Sequence, residues 1–148
     1  MVLTKKFSDF IDDADPSTLA ETVGLDNGQN VRFPLGVTPS TLQWAVVTTT
    51  TQLMSSNFGY ITNNAGLITF TLPFLCDVGE RVSISGWGAG GWLLDFNVGQ
   101  TVIISNVVAT PSFGSVASTN RYDQIELLCV ETNLTFIARS VIGTLTVV

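Results

Sequence analysis

Ile84-Ser-Gly-Trp-Gly-Ala-Gly-Gly-Trp-Leu-Leu-Asp-Phe-Asn-Val-Gly-Gln-Thr-Val-Ile-Ile104 holds two tryptophans, five glycines and a single charge, Asp95. Short apolar runs separated by glycine-rich corners are the texture of brief strands joined by tight turns. Within it, Gly86-Trp-Gly-Ala-Gly-Gly91 matches G-x-G-x-x-G, and Arg81-Val-Ser-Ile-Ser85 before it reads as a strand. A dinucleotide site also needs a helix start after the glycines and an acidic residue about twenty positions on. Here another glycine corner follows quickly, and the position twenty beyond Gly91 is Pro111. The glycines therefore predict a corner between strands, with no cofactor.

Outward from this stretch, strand signals recur roughly every eight to twelve residues. They predict strands at Trp44–Gln52, Phe58–Thr62, Gly66–Leu72, Arg81–Ser85, Trp92–Phe96, Thr101–Ser105, Tyr122–Glu131, Leu134–Ser140 and Thr144–Val148. Corners are expected at Asn63-Asn64, Asp77–Gly79, Gly88–Gly91, Asn97–Gly99 and Thr132-Asn133. Threonine, most visibly Thr48–Thr51, favours extended chain. The expected fold class is all-β, a sandwich or prism-like domain of short strands over residues 44–148.

The start of the chain differs. Phe7, Phe10 and Ile11 suit one amphipathic helical turn, ended by Asp12, Asp13 and Asp15 before Pro16. Asp26-Asn27-Gly28 between two apolar runs signals a hairpin. Residues 1–36 form a segment too small for its own core, and Pro34-Leu-Gly-Val-Thr-Pro-Ser-Thr41 marks a linker, placed at 37–43.

Charge narrows the function. Only 12% of residues are charged, against about 25% in an ordinary soluble domain, while hydrophobic residues reach 45% and the mean hydropathy is +0.40. No apolar run approaches the roughly 18 residues of a membrane span. Much of the apolar surface is therefore expected between subunits of an oligomer. A net charge of −6 argues against nucleic acid, whose phosphates call for basic stripes. Half of the twelve carboxylates lie in residues 1–26. Met1–Asp9 lacks the apolar core of a signal peptide, so assembly in a reducing cytoplasm is expected.

Catalytic constellations are sparse. Histidine is absent, which removes nucleophile–histidine mechanisms. Asp77/Glu80 and Asp123/Glu126 are the candidate carboxylate pairs. The first pair flanks a turn, and the second has an odd spacing that places its members on opposite strand faces. The chain is read as non-enzymatic. Cys76 and Cys129 lack metal-ligand spacing and read as buried free thiols, with a disulfide as the alternative and no metal site. Asn133-Leu-Thr135 matches a glycosylation sequon and reads as a hairpin corner.

Trp44-Ala-Val-Val-Thr-Thr-Thr-Thr51 and Phe58-Gly-Tyr-Ile-Thr-Asn-Asn-Ala-Gly-Leu-Ile-Thr-Phe-Thr-Leu-Pro73 resemble a β-domain of tailed-bacteriophage structural proteins. Val78–Val82, Gly88–Trp92, Asn97–Thr101, Ser118–Asp123, Glu126–Val130 and Gly143–Val148 continue the likeness. Lys6–Phe10 with Val23–Phe33 is similar to a head segment of phage virion proteins. The resemblance implies a homotrimeric tail fibre or fibre-like appendage, located in the virion and joined to other virion proteins through residues 1–36. Phe7, Phe10, Val23, Leu25 and Phe33 would then supply apolar anchors and Arg32 a polar handle. A trimeric capsid decoration protein is the alternative, because no shaft separates the two ends. A sugar-binding module is a second alternative. Trp87 and Trp92 are the candidate contacts, either stacking on a host surface glycan or packing in the core or at the trimer interface.

Overall fold

A computed structural model describes residues 42–148 and, nearer the N-terminus, Leu25–Asp26 and Asn30–Val31. The chain divides into two units, Met1–Ser40 and Thr41–Val148, with the boundary inside the proline-rich stretch. In the first unit β1 (Leu25–Asp26) pairs antiparallel with β2 (Asn30–Val31), Asp26 opposite Asn30. They bracket the Asn27-Gly28 turn signal. The helical turn at Phe7–Ile11 and the side chains of Phe7, Phe10, Val23, Leu25, Arg32 and Phe33 lie outside the described residues.

The second unit is all-β. Its first strands are β3 (Gln43–Val47), β4 (Thr51–Leu53), β5 (Phe58–Thr62), β6 (Ile68–Thr71), β7 (Arg81–Gly86) and β8 (Trp92–Asp95). They alternate between two sheets. β3, β5 and β7 run parallel in one, and β4, β6 and β8 run parallel in the other. The chain thus winds as a flattened coil, with one strand in each half turn and one strand per sheet in each full turn. It then leaves the coil through β9 (Thr101–Ile104), β10 (Val107–Val108), β11 (Ser115–Ser118), β12 (Gln124–Glu131), β13 (Thr135–Ile142) and β14 (Leu145–Val147). These complete a seven-stranded sheet in the order β10-β9-β13-β12-β7-β5-β3 and a five-stranded sheet in the order β14-β11-β8-β6-β4.

Period-two patterning faces the sheets together. Val47, Tyr60, Val82, Ile84, Ile125, Leu127 and Phe136 from the larger sheet meet Ile68, Phe70, Trp92, Leu94 and Val116 from the smaller in one buried cluster. The rings of Tyr60 and Phe70 lie 5.6 Å apart across that layer. Two differences from expectation follow from the coil. The strand expected over Trp44–Gln52 is broken at Thr48–Thr50, where the chain crosses to the other sheet. β10 and β11, short and beside Pro111 and Gly114, carried no strand signal strong enough to be expected.

The glycine corner has a physical reason. Gly88 N–H donates to the Thr62 carbonyl at 2.7 Å, and Gly90 N–H donates to the Asn64 carbonyl at 3.1 Å. One corner of the coil therefore lies directly on the corner before it. A Cβ at Gly88 or Gly90 would run into the backbone of Asn64 or Gly66, and Gly91 turns with φ at 70°, where glycine is cheap.

Candidate functional site

The structure separates the two candidate tryptophans. Trp92 is fully buried, and its indole Nε1 donates to the Asp123 carbonyl at 2.9 Å. It belongs to the core of the β-unit, the packing alternative for this residue, and is removed from the candidate receptor or interface contacts. Trp87 is 55% exposed. Its backbone N–H donates to Thr62 Oγ1 at 2.9 Å, and its carbonyl accepts from Arg121 Nε at 2.8 Å. The Trp87 and Tyr122 ring centroids are 5.9 Å apart, with the Arg121 guanidinium 4.8 Å from the Tyr122 ring centre. The cation braces both aromatics.

Trp87 and Tyr122 help to line a cavity of about 520 Å³, together with Val46, Ile61, Asn63, Ser85, Gly86 and Gln124. Its floor is a row across four neighbouring strands: Val46 pairs with Ile61, Ile61 with Ser85, and Ser85 with Gln124. Tyr122 holds φ at 74°, a region costing a bulky residue on the order of 1–3 kcal/mol. The turn before β12 enforces it: buried Asp123 accepts from the backbone N–H groups of Thr119 and Asn120, each at 2.8 Å. Sequence reading found Trp87 and missed Asn63, Ser85, Tyr122 and Gln124, which only the strand register brings together.

The carboxylate pairs are occupied structurally. Glu80 Oε2 accepts from Asp77 N–H at 2.9 Å and Oε1 from Asn57 Nδ2 at 2.8 Å, closing a turn. Asp123 is buried in its turn, whereas Glu126 pairs with Arg81 at 3.4 Å and Arg139 at 3.1 Å. Cys76 and Cys129 are buried free thiols, and Cys129 Sγ donates to the Cys76 carbonyl at 3.2 Å. Burial, and secondarily the neighbouring Cys129 and Glu80, push the Cys76 thiol far above its ordinary range.

A second feature occupies the opposite end of the sandwich. Gln100 is buried; its Nε2 donates to the carbonyls of Pro73 at 2.8 Å and Asn133 at 3.1 Å. Its Oε1 accepts from both N–H and Nδ2 of Asn97, at 2.9 Å each. Ser112 N–H donates to the Gln100 carbonyl, and Ser112 Oγ accepts from Gly99 N–H at 2.7 Å. Gln100 thus knots together four loops, three through its side-chain amide and the fourth through its main-chain carbonyl. These loops hold Phe74, Leu75, Val98, Phe113 and Leu134 out into solvent, Val98 and Phe113 at 88% exposure.

Comparison with protein-family models and with curated proteins gives no match to this chain.

Proposed function

We propose that the protein is a non-enzymatic virion structural protein of a tailed bacteriophage. In this reading it is a short homotrimeric tail fibre or fibre-like appendage, anchored through residues 1–36 and facing the host with its β-domain. The observation that supports this best is the apolar loop end built on Gln100. Phe74, Leu75, Val98, Phe113 and Leu134 are held in place by buried hydrogen bonds, so their exposure is a built feature rather than fraying. Exposed apolar side chains gathered on hydrogen-bonded loops at one end of a chain this poor in charge support an association surface, and the occupant proposed is a second and third copy of the same chain. Capsid decoration shares this trimeric surface and differs only in the particle partner of residues 1–36.

Sedimentation and native mass spectrometry at low micromolar concentration test the reading. Three chains are expected, with a melting temperature that rises with protein concentration by mass action. Replacing Phe74 and Phe113 with serine is expected to release folded monomers. A wild-type protein that remains a well-folded, soluble monomer would sink the trimeric appendage.

A further inference from the structure

We infer that the groove lined by Trp87 and Tyr122 is a binding site for a neutral pyranose oligosaccharide. Its floor has two halves. Val46 and Ile61 form an apolar half, and Ser85 and Gln124 a polar one, in a row spanning four strands. At the ordinary spacing between strands, that row is about 14 Å long, which suits an oligosaccharide better than a single ring. Trp87 and Tyr122 also line it, and Asn63 adds a second amide. Among the described residues, the side chains of Asn63, Ser85, Trp87, Tyr122 and Gln124 make no hydrogen bond. Their donors and acceptors are left to solvent or a ligand.

A pyranose matches this lining group by group. Its C–H face is apolar and packs on aromatic rings, while its hydroxyls both donate and accept, as amides and hydroxyls require. None of the residues that line the groove is charged, and the guanidinium beside it, Arg121, is engaged by the Trp87 carbonyl and the two rings, which favours a neutral ligand. A net charge of −6 disfavours nucleic acid, despite rings on which bases could stack. Among the described residues β3 is the one floor strand at a sheet edge, and a peptide adding there would lie beside Val46 at the apolar end of the row. The strands β5, β7 and β12 are each paired on both sides, so such a peptide would leave Ser85 and Gln124 unused. A second copy of the chain is disfavoured by place: the loop end proposed for self-association lies at the other end of the sandwich.

The site is also held in advance of binding. Arg121 braces both rings, Trp87 is tied through its N–H and its carbonyl, and Tyr122 persists at a φ that glycine would adopt freely. Strain kept at an exposed aromatic points to a use for its ring. The groove's chemistry stands without the appendage reading, and only its role as a host contact rests on it.

The test is an array of neutral hexose and N-acetylhexosamine oligosaccharides with uronate and sialylated glycans beside them, followed by titration of each neutral hit against tryptophan fluorescence. Wild-type protein is expected to bind at least one neutral glycan saturably. Trp87→Ala and Tyr122→Gly are each expected to weaken it by about tenfold or more. Tyr122→Gly relieves the backbone at φ 74°, which offsets the lost ring contacts with Trp87 and Arg121. A thermal melt within a few degrees of wild type for each variant separates lost binding from lost structure. Silence across the neutral glycans, binding confined to acidic ones, or binding untouched by both substitutions would each overturn the proposal. So would a change of oligomeric state in Tyr122→Gly, which would make the groove a contact between copies. A monomer that binds sugar through Trp87 would refute the trimer alone, and a trimer that binds none would refute the groove alone.

Discussion

Single buried polar groups, Asp123 and Gln100, set the two ends of the β-unit. Gln100 satisfies two carbonyls from loops distant in sequence, and its oxygen is used twice by Asn97. Gln100→Leu keeps the bulk but orphans those partners, at about 1–3 kcal/mol for each buried group left unsatisfied. Denaturant unfolding is expected to show a loss of that order or more; a change within the noise would mean water replaces the amide. Cys76 carries a pH signature. Its folded thiol titrates above the unfolded one, so the folded state retains a proton that the unfolded state has shed. This contribution to stability is fully present below the unfolded thiol's pKa and is lost as pH rises from there through the folded pKa. Cys76→Ala should flatten the alkaline limb of the stability–pH profile. An unchanged slope would show that another group governs it.

Among the elements, glycine corners and alternating strands were legible, because turn chemistry and period-two patterning are local. Phe58–Thr62 has the limits expected, and the corners at Asn63, Gly79, Gly91, Gly99 and Asn133 fall where expected. The switch of sheets at Thr48–Thr50 was not legible, since a threonine run is equally extended within one sheet or between two. The groove was hidden for the same reason. Val46, Ile61, Ser85 and Gln124 align only through parallel and antiparallel register, which no spacing in the sequence encodes. The stacking of corners yields a paired prediction. A methyl at Gly90 meets the backbone carbonyl of Gly66, whereas a methyl at Gly66 finds Asn64 Oδ1 at an ordinary 3.6 Å. Gly90→Ala is expected to cost about 1–3 kcal/mol or more as the corners are forced apart, with Gly66→Ala much closer to wild type. Equal urea midpoints for the two would disprove the stacked-corner account.

Across the whole β-unit, the coil gives the two ends different chemistry. β5 and β7 run toward Asn63 and Trp87, so the aromatic groove stands at their C-terminal end, and β6 and β8 return toward the apolar loops around Gln100. β3 lies parallel to β5 with Gln43 opposite Phe58, so the chain enters the unit at the loop end, away from the groove. Among the described residues the buried core runs from Val47 to Phe136, with Ala45, Ala138, Leu145 and Val147 packed against it, and the division at Ser40/Thr41 leaves every strand of the β-unit's two sheets intact. Deleting residues 1–40 is therefore expected to leave the β-unit folded, with unchanged oligomeric state and unchanged groove. On the appendage reading, the same protein no longer joins the particle. Circular dichroism, sedimentation and particle co-purification measure these outcomes separately. Unfolding of the shortened protein would show that the first unit completes the core. Retained assembly would move the anchor from residues 1–36 to the β-unit itself, with the loop end around Gln100 as the surface to test next.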